Sequence, residues 1–102
     1  MPFARVAAVS DVPVGEMRVF RVNGRSVLLA NVGGVFYAID DLCTHDGGPL
    51  GDGELMGDQV ECPRHGARFD VKTGRVTAFP AGSPVGSYAV EVAGEEVRVD
   101  VG

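Results

Sequence analysis

Leu42-Cys43-Thr44-His45-Asp46-Gly47-Gly48-Pro49 and Glu61-Cys62-Pro63-Arg64-His65-Gly66-Ala67 are the two segments on which the interpretation of this sequence depends. Together they contain both cysteines and both histidines of the 102-residue chain. The first segment pairs its ligands as Cys-x-His and the second as Cys-x-x-His. Two thiols and two imidazoles at such close spacing predict one metal centre built from four side chains.

The ligand types alone leave three kinds of chemistry open. Two thiolates and two imidazoles can hold a structural zinc ion, or an iron-sulfur cluster in which each iron takes two protein ligands. A Cys-His pair can also act as an activated nucleophile. Zinc knuckles usually pair like ligands, whereas both segments here are mixed. Mixed pairs favour a cluster held between two loops, because each loop can then supply one ligand to each iron.

The rest of the chain has the pattern of a small β protein. At 102 residues it fits one domain, residues 1–102, which can bury a core without disulfides. The chain has 15 Gly and 6 Pro, is rich in Val, and has no sustained 3.6-residue apolar period, so we expect strands, turns and almost no helix. Asn23-Gly24 can supply the two positive φ angles of a type I′ hairpin turn. These features predict an all-β fold, a small antiparallel sandwich or barrel.

Strands are predicted where apolar residues alternate between turn signals. Both ligand segments follow strand ends, as the two arms of a clamp would. Lys72-Thr73-Gly74-Arg75 is predicted to be a turn, and the loop Phe79–Pro84 is too rich in Pro and Gly for regular structure. The predicted strands are Phe3–Val9, Glu16–Val22, Ser26–Ala30, Val35–Asp40, Glu54–Met56, Gln59–Glu61, Arg68–Asp70, Tyr88–Val92 and Glu96–Val101.

Charge is unevenly distributed along the chain. The net charge is −5, and the range 40–61 contains seven carboxylates and no Lys or Arg. The sign reverses in the range 62–75, which contains Arg64, Arg68, Lys72 and Arg75. An acidic chain is a poor ligand for nucleic acid or anionic lipid, and it favours a partner that presents Lys or Arg. The N-terminus lacks the pattern of an export signal, and no apolar run approaches the ~18 residues of a membrane span, so we expect a soluble, cytoplasmic protein.

The two segments and their flanks resemble a known family. Cys43-Thr44-His45 with Gly47-Gly48-Pro49-Leu50, and Cys62-Pro63-Arg64-His65-Gly66-Ala67-Arg68-Phe69-Asp70 with Thr73-Gly74, are similar to the paired ligand loops of Rieske 2Fe-2S proteins. The resemblance implies one 2Fe-2S cluster whose inner iron is bound by the two cysteines and whose outer iron is bound by the two histidines. It also implies a cluster-binding subdomain at about residues 41–82, inserted into a β base. The loop Phe79–Pro84, with Pro80, would cover the cluster.

The sequence departs from the respiratory branch of that family near the ligands. Respiratory Rieske proteins carry an extra Cys in each loop and two hydroxyls that bond to sulfur, whereas the matching positions here are Gly48, Arg64, Ala67 and Phe69. With fewer donors to sulfur, the reduced state is stabilised less, so we expect a potential near the low end of the Rieske span of about −150 to +300 mV. Arg64 opposes this trend as a nearby cation. Gly47, Gly48 and Gly66 are expected to let the backbone approach the cluster, with N–H groups donated to sulfur.

The resemblance implies an electron carrier that is not itself a catalyst. The expected setting is a bacterial multicomponent oxygenase, in which a flavin-dependent reductase supplies the electron and a terminal oxygenase receives it. Two alternatives stay open at this point. One is a small Rieske subunit of a nitrite-reductase-like complex, and the other is a zinc-stabilised interaction module.

Overall fold

The structure is a computed structural model that describes residues 3–44, 47–63, 66–79 and 83–101. Its regular elements are almost entirely strands. The only helical elements in the described ranges are two single 3₁₀ turns, Val9–Asp11 and Leu50–Asp52. The strands are β1 Ala4–Ala8, β2 Met17–Val22, β3 Arg25–Val32, β4 Val35–Asp40, β5 Glu54–Met56, β6 Gln59–Glu61, β7 Arg68–Asp70, β8 Val76–Ala78, β9 Ser87–Ala93 and β10 Glu96–Asp100.

Six of these strands form one antiparallel sheet, in the order β1-β10-β9-β4-β3-β2. The meander β2-β3-β4 supplies one half, and the closing hairpin β9-β10 with β1 supplies the other. The sheet curls until β1 also contacts β2, so it is a nearly closed barrel. The β2-β3 turn has Asn23 at φ 50° and Gly24 at φ 82°, as a type I′ turn requires.

Strand β3 is buried on both of its faces. Its alternation sends Val27 and Leu29 into the barrel interior, where they pack with Val97 and Val99. Leu28 and Ala30 point the other way and belong to a second apolar cluster that contains both cysteines. A strand covered on both sides reads as a continuous apolar run in the sequence, which Val27-Leu28-Leu29-Ala30 is.

The second apolar cluster lies beneath a smaller antiparallel sheet, in the order β5-β6-β7-β8. This sheet lies between β4 and β9 in the sequence. Val60 and Phe69 are opposite each other on adjacent strands, both are fully buried, and both pack in this cluster. Removing a Phe side chain from water contributes ~2 kcal/mol. We call the six-stranded barrel the base. The small sheet is fixed to it by an apolar layer between them.

The chain leaves the base at Asp40 and returns to it at Gly86, and these two points are fastened together. The Asp40 N–H donates to the Gly86 carbonyl at 2.9 Å, and the Gly86 N–H donates to the Asp40 carboxylate at 3.2 Å. The Tyr88 hydroxyl donates to the other carboxylate oxygen of Asp40. We call Asp40, Gly86 and Tyr88 the neck. It sets the position of everything between the two base strands.

The predicted strands and the all-β class are confirmed, with ends that differ by one or two residues. The prediction missed β8, Val76–Ala78, because a three-residue strand beside a bulge shows no alternation. It also missed the short 3₁₀ turn at Leu50–Asp52, where Leu50 is fully buried in the cysteine-containing cluster. In the described part of the chain, no helix has the length and apolarity needed to cross a membrane.

Candidate metal centre

Each cysteine lies at the start of a turn that follows a strand. Cys43 lies three residues beyond the end of β4, and Cys62 directly follows the end of β6. The second turn leads into β7, which pairs back with β6 through Glu61 and Arg68. Both turns are thus held at their strand-facing ends, as the sequence predicted.

The two turns have the same backbone hydrogen bonds. In the first, the Cys43 N–H donates to the Gly48 carbonyl at 2.8 Å, and the Gly47 N–H donates to the Cys43 carbonyl at 2.7 Å. In the second, the Cys62 N–H donates to the Ala67 carbonyl at 2.7 Å, and the Gly66 N–H donates to the Cys62 carbonyl at 3.1 Å. The glycine at the fourth position after the cysteine has φ 76° in both. We call residues 43–48 and 62–67 the ligand turns.

This shared geometry corrects one expectation about the glycines. Gly47 and Gly66 were expected to donate their N–H groups to sulfur, but both donate to the carbonyl oxygen of the cysteine that begins the turn. The reason is that a turn of this length closes through the fourth residue, whose positive φ suits glycine. The equal Cys-to-Gly step was visible in the sequence and would have predicted equal turns. Unequal Cys-x-His and Cys-x-x-His spacings within equal turns place the histidines at different positions of the turn.

The two cysteines lie in the apolar cluster beneath the small sheet. Cys43 is fully buried and Cys62 is 1% exposed, and they are not joined in a disulfide. Cys62 is followed by exposed Pro63, so burial changes abruptly at the ligand position. Two buried sulfur atoms that are not in a disulfide, each at the start of a matching turn, fit the inner ligands of a metal centre.

Four of the predicted site residues, His45, Arg64, His65 and Pro80, lie outside the described residues. Among the residues that the structure does describe, no three His, Cys, Asp or Glu side chains converge as a metal site. The described part therefore contains two of the four predicted ligands, Cys43 and Cys62, and in the sequence the chain's two histidines stand at the second and third positions after them.

The other residues predicted to lie around the cluster are within the ligand turns or close to them. Gly48 and Ala67 close the two turns through their carbonyls, and Gly66 is half-buried. Ala67 and Phe69 are fully buried in the cluster that holds the cysteines. Neither has a hydroxyl, so the side chains packed at these two buried positions bring no O–H donor toward the thiols.

Two further features lie near the site: a contact that had no clear sequence signal, and a turn that was predicted from its last four residues, Lys72–Arg75. The Thr44 hydroxyl donates to the Ser83 carbonyl at 2.6 Å, so the residue after Cys43 holds the far end of the loop that contains Pro80. The second is a third turn, Asp70–Arg75. Its Asp70 N–H donates to the Arg75 carbonyl at 2.8 Å, its Gly74 N–H donates to the Asp70 carbonyl at 2.7 Å, and Gly74 has φ 79°. This turn has the hydrogen bonds of the ligand turns but no Cys or His.

Ion pairs offset the basic residues that follow the second ligand turn. Arg68 Nε lies 3.1 Å from Glu61 Oε2, and Lys72 Nζ lies 3.2 Å from Asp58 Oδ2. The hydrogen bond and charge of Asp58 raise the pKa of Lys72 above its usual value. Two of the four basic residues in the range 62–75 therefore pair with acids of the preceding segment, which offsets part of the positive charge seen in the sequence.

A nearly closed β barrel that carries a small sheet with two matching Cys-containing turns is the arrangement of a small iron-sulfur protein. Residues 3–89 match the Rieske [2Fe-2S] domain family, and the chain belongs to it. Its cofactor is accordingly one 2Fe-2S cluster. The prediction of the family and of the cofactor is confirmed.

Three known proteins illustrate the similarity. The ferredoxin component of biphenyl 2,3-dioxygenase from Rhodococcus jostii (strain RHA1) is 38% identical over 101 residues, which cover 99% of this chain and 94% of that protein. The ferredoxin of carbazole 1,9a-dioxygenase from Nocardioides aromaticivorans IC177 has a TM-score of 0.92 at 38% identity, covering 97% of each chain. A structure described as a complex of reduced oxygenase and oxidised ferredoxin in carbazole 1,9a-dioxygenase matches at 41% identity and TM-score 0.88, covering 95% of this chain and 91% of that one.

Proposed function

We propose that this protein is a soluble, cytoplasmic one-electron carrier that takes an electron from a flavin-dependent reductase and passes it to a terminal oxygenase. It is a component of an oxidoreductase system and does not itself convert substrate. The observation that carries this proposal is the pair of matching turns that begin at two buried cysteines, in a chain of the Rieske family.

We propose Cys43, Cys62, His45 and His65 as the four ligands. When bound, the cluster supplies reversible one-electron oxidation and reduction. The buried cysteines exclude water from the inner side, and the short backbone hydrogen bonds of each turn hold the thiols at fixed positions. A rigid frame supports fast electron transfer, since little of the protein has to rearrange when the charge changes.

We assign the surrounding roles to the residues that the sequence singled out. Chain segment 41–82 is the cluster-binding subdomain of a single Rieske domain spanning residues 1–102. The small sheet β5-β6-β7-β8 and its attachment at the neck support this division. The residues proposed to surround the cluster are Gly48, Arg64, Gly66, Ala67, Phe69 and Pro80.

The named relatives support the choice of partners. Each is the ferredoxin of an aromatic dioxygenase system, and one was solved together with its oxygenase. These names favour an oxygenase setting over a nitrite-reductase-like complex. The match to the Rieske family also favours iron and sulfide over a zinc-stabilised module.

Metal analysis with absorption and EPR spectra tests the cofactor and its ligands. We expect about two iron and two labile sulfide per chain, a red-brown protein and a rhombic EPR signal on reduction. Histidine coordination is tested by pulsed EPR, which detects hyperfine coupling to directly bound nitrogen. A colourless protein with zinc and no sulfide would overturn the proposal.

Stopped-flow reduction tests the role as a carrier. The protein is mixed with a reduced flavin-dependent reductase, and then with an oxidised oxygenase, at increasing ionic strength. Since the net charge is −5, we expect the rate constants to fall as salt rises if the partners present basic surfaces. Rates that stay flat with salt would contradict docking by charge while leaving the carrier role intact.

A further inference from the structure

One large apolar side chain near the ligand turns is almost completely exposed. Phe79 is 88% exposed, more than any other large hydrophobic residue among those the structure describes, and Val14 follows at 66%. An exposed Val is ordinary, but an exposed Phe presents a larger apolar area to water. Such a residue beside a functional site is typical of a contact surface for another protein.

The register of the small sheet places Phe79 beside the second ligand turn. Ala78, the last residue of β8, is opposite Arg68, the first residue of β7. Because the two strands are antiparallel, the step from Ala78 to Phe79 runs in the direction of Ala67, the residue that closes the second ligand turn. Ser83, four residues further on, accepts the hydrogen bond from Thr44 in the first ligand turn. Phe79 therefore lies beside the second ligand turn, and Ser83 contacts the first.

Acidic side chains lie at the same end of the small sheet. Glu54 and Glu61 are directly opposite each other on β5 and β6, and Arg68 is the next residue across on β7. The Arg68 guanidinium donates to the Glu61 carboxylate at 3.1 Å, so these two charges offset each other. The three side chains together carry a net charge of −1, which comes from the exposed Glu54. Like charges directly opposite in a sheet cost stability, which favours a function for the pair outside the sheet.

We propose that Phe79, together with the carboxylates of Glu54 and Glu61, forms the docking surface for a redox protein whose electron-exchange site is apolar and surrounded by Lys or Arg. The argument rests on the proposed function as an electron carrier. Phe79 supplies the apolar anchor, and the carboxylates supply attraction and orientation. Docking on this side brings the partner next to the second ligand turn, and so close to the proposed ligands Cys62 and His65.

Reduction of ferric cytochrome c, a basic one-electron acceptor with an apolar haem edge, tests the anchor. The reduced protein is mixed with it in a stopped-flow instrument, and one electron passes to the ferric haem to give ferrous cytochrome c. We expect Phe79→Ala to lower the second-order rate constant on the order of tenfold, and Phe79→Leu to retain most of the rate. Reduction of hexacyanoferrate(III), which is too small to need the surface, should be unchanged in both variants.

Val14→Ala is the matched control. Val14 is also exposed, but it precedes Gly15, whose N–H donates to Asn31 at the far end of the base, close to the β3-β4 turn. The control should reduce both acceptors at the wild-type rate. A wild-type rate for Phe79→Ala with cytochrome c would overturn the proposal, and so would an equal loss in Val14→Ala.

Glu54→Gln tests the charge independently of the anchor. We expect a two- to three-fold lower rate with cytochrome c at low salt and a weaker dependence on ionic strength. Glu95→Gln, in the exposed β9-β10 turn, should keep the wild-type rate with cytochrome c and the wild-type dependence on ionic strength. Equal effects of the two substitutions would mean that only net charge matters and would overturn this surface. Failure of the carrier function itself is distinguishable, because the wild-type protein would then fail to reduce hexacyanoferrate(III) as well.

Discussion

In the part of the chain that the structure describes, the same turn occurs three times, and two of the three copies begin at a proposed cysteine ligand. The ligand turns 43–48 and 62–67 and the third turn Asp70–Arg75 share the same pair of backbone hydrogen bonds and a glycine at positive φ. The third turn is fixed by the protein itself, since Gly74 is buried and its carbonyl accepts the Val85 N–H at 2.9 Å. Gly47, by contrast, is exposed. The backbone frame therefore needs no metal, and the side chains placed on it determine which turns become a site.

Replacing a ligand should have the largest effect. We expect Cys62→Ser to abolish the cluster, with iron and labile sulfide falling to roughly a tenth of the wild-type content or less, because a hydroxyl is a poor ligand for iron beside sulfide. The matched control is Asp70→Ser, which changes the first residue of the third turn and should keep the full iron content. A wild-type spectrum in Cys62→Ser would remove this residue from the ligand set.

The sequence was sufficient for the family and for most strands, because both depend on local patterns. The family was found from the residue types around Cys43 and Cys62, and the β2-β3 turn from the φ angles that Asn23-Gly24 can supply. The contact of Thr44 with Ser83 could not be found in this way, because it joins residues that are 39 positions apart and depends on how the small sheet is attached. The turn at Lys72–Arg75 was predicted from its residues, but its likeness to the two ligand turns was not. Its Asp-to-Gly step matches the Cys-to-Gly steps, and the comparison was not made because this turn contains no Cys or His.

Replacing a turn glycine by alanine should lower the free energy of unfolding more in the third turn than in the first ligand turn. A Cβ at Gly74 would lie 2.1 Å from the Val85 carbonyl oxygen, whereas a Cβ at Gly47 meets no atom of the described residues within 4 Å. Positive φ alone costs about 1 to 2 kcal/mol in a non-glycine residue, and the overlap adds about 1 to 3 kcal/mol. In urea unfolding followed by circular dichroism, we expect Gly74→Ala to lose about 3 kcal/mol and Gly47→Ala about 1 kcal/mol. Equal losses of unfolding free energy in the two variants would mean that the packing of the third turn against Val85 does not stabilise it more than the first ligand turn.

Adding hydroxyls beside the ligand turns should raise the midpoint potential. The wild-type value is expected near the low end of the span of about −150 to +300 mV, and a value above about +150 mV would contradict this. A new hydrogen bond to a charged group is worth about 1.5 to 3 kcal/mol, which corresponds to roughly 60 to 130 mV for one electron. Protein-film voltammetry of Ala67→Ser and Phe69→Tyr measures the shift.

The third turn again supplies the control for the potential. The Thr73 hydroxyl accepts the Arg75 N–H at 3.2 Å, so Thr73→Val removes a turn hydroxyl that lies outside the ligand turns. Its potential should equal that of the wild-type protein. If Thr73→Val shifted the potential as much as Ala67→Ser, the effect of a hydroxyl would not depend on which of the three turns it occupies.

The smallest effect is expected at the neck, where the third turn meets the base through Val85 and Gly86. Burial, and then the hydrogen bond to Asp40, raise the pKa of Tyr88 above its usual value. A raised pKa means that the neutral phenol is favoured in the folded state. Its contribution to stability is complete below the unfolded pKa of about 10 and is lost as pH rises through the higher folded pKa. We expect Tyr88→Phe to lower the free energy of unfolding by about 1 kcal/mol at pH 7.

The difference between Tyr88→Phe and the wild-type protein should shrink as pH rises above about 10, because the wild-type protein alone loses the phenol hydrogen bond. Tyr37→Phe, at a half-buried tyrosine of β4, keeps the hydrogen bond between Tyr88 and Asp40 and should still show the loss of that bond at high pH. The midpoint potential of Tyr88→Phe should be unchanged, since the neck lies at the third turn and outside the ligand turns. A shifted potential would instead show that the neck positions the ligand turns, and the separation between a structural turn and two functional ones would not hold.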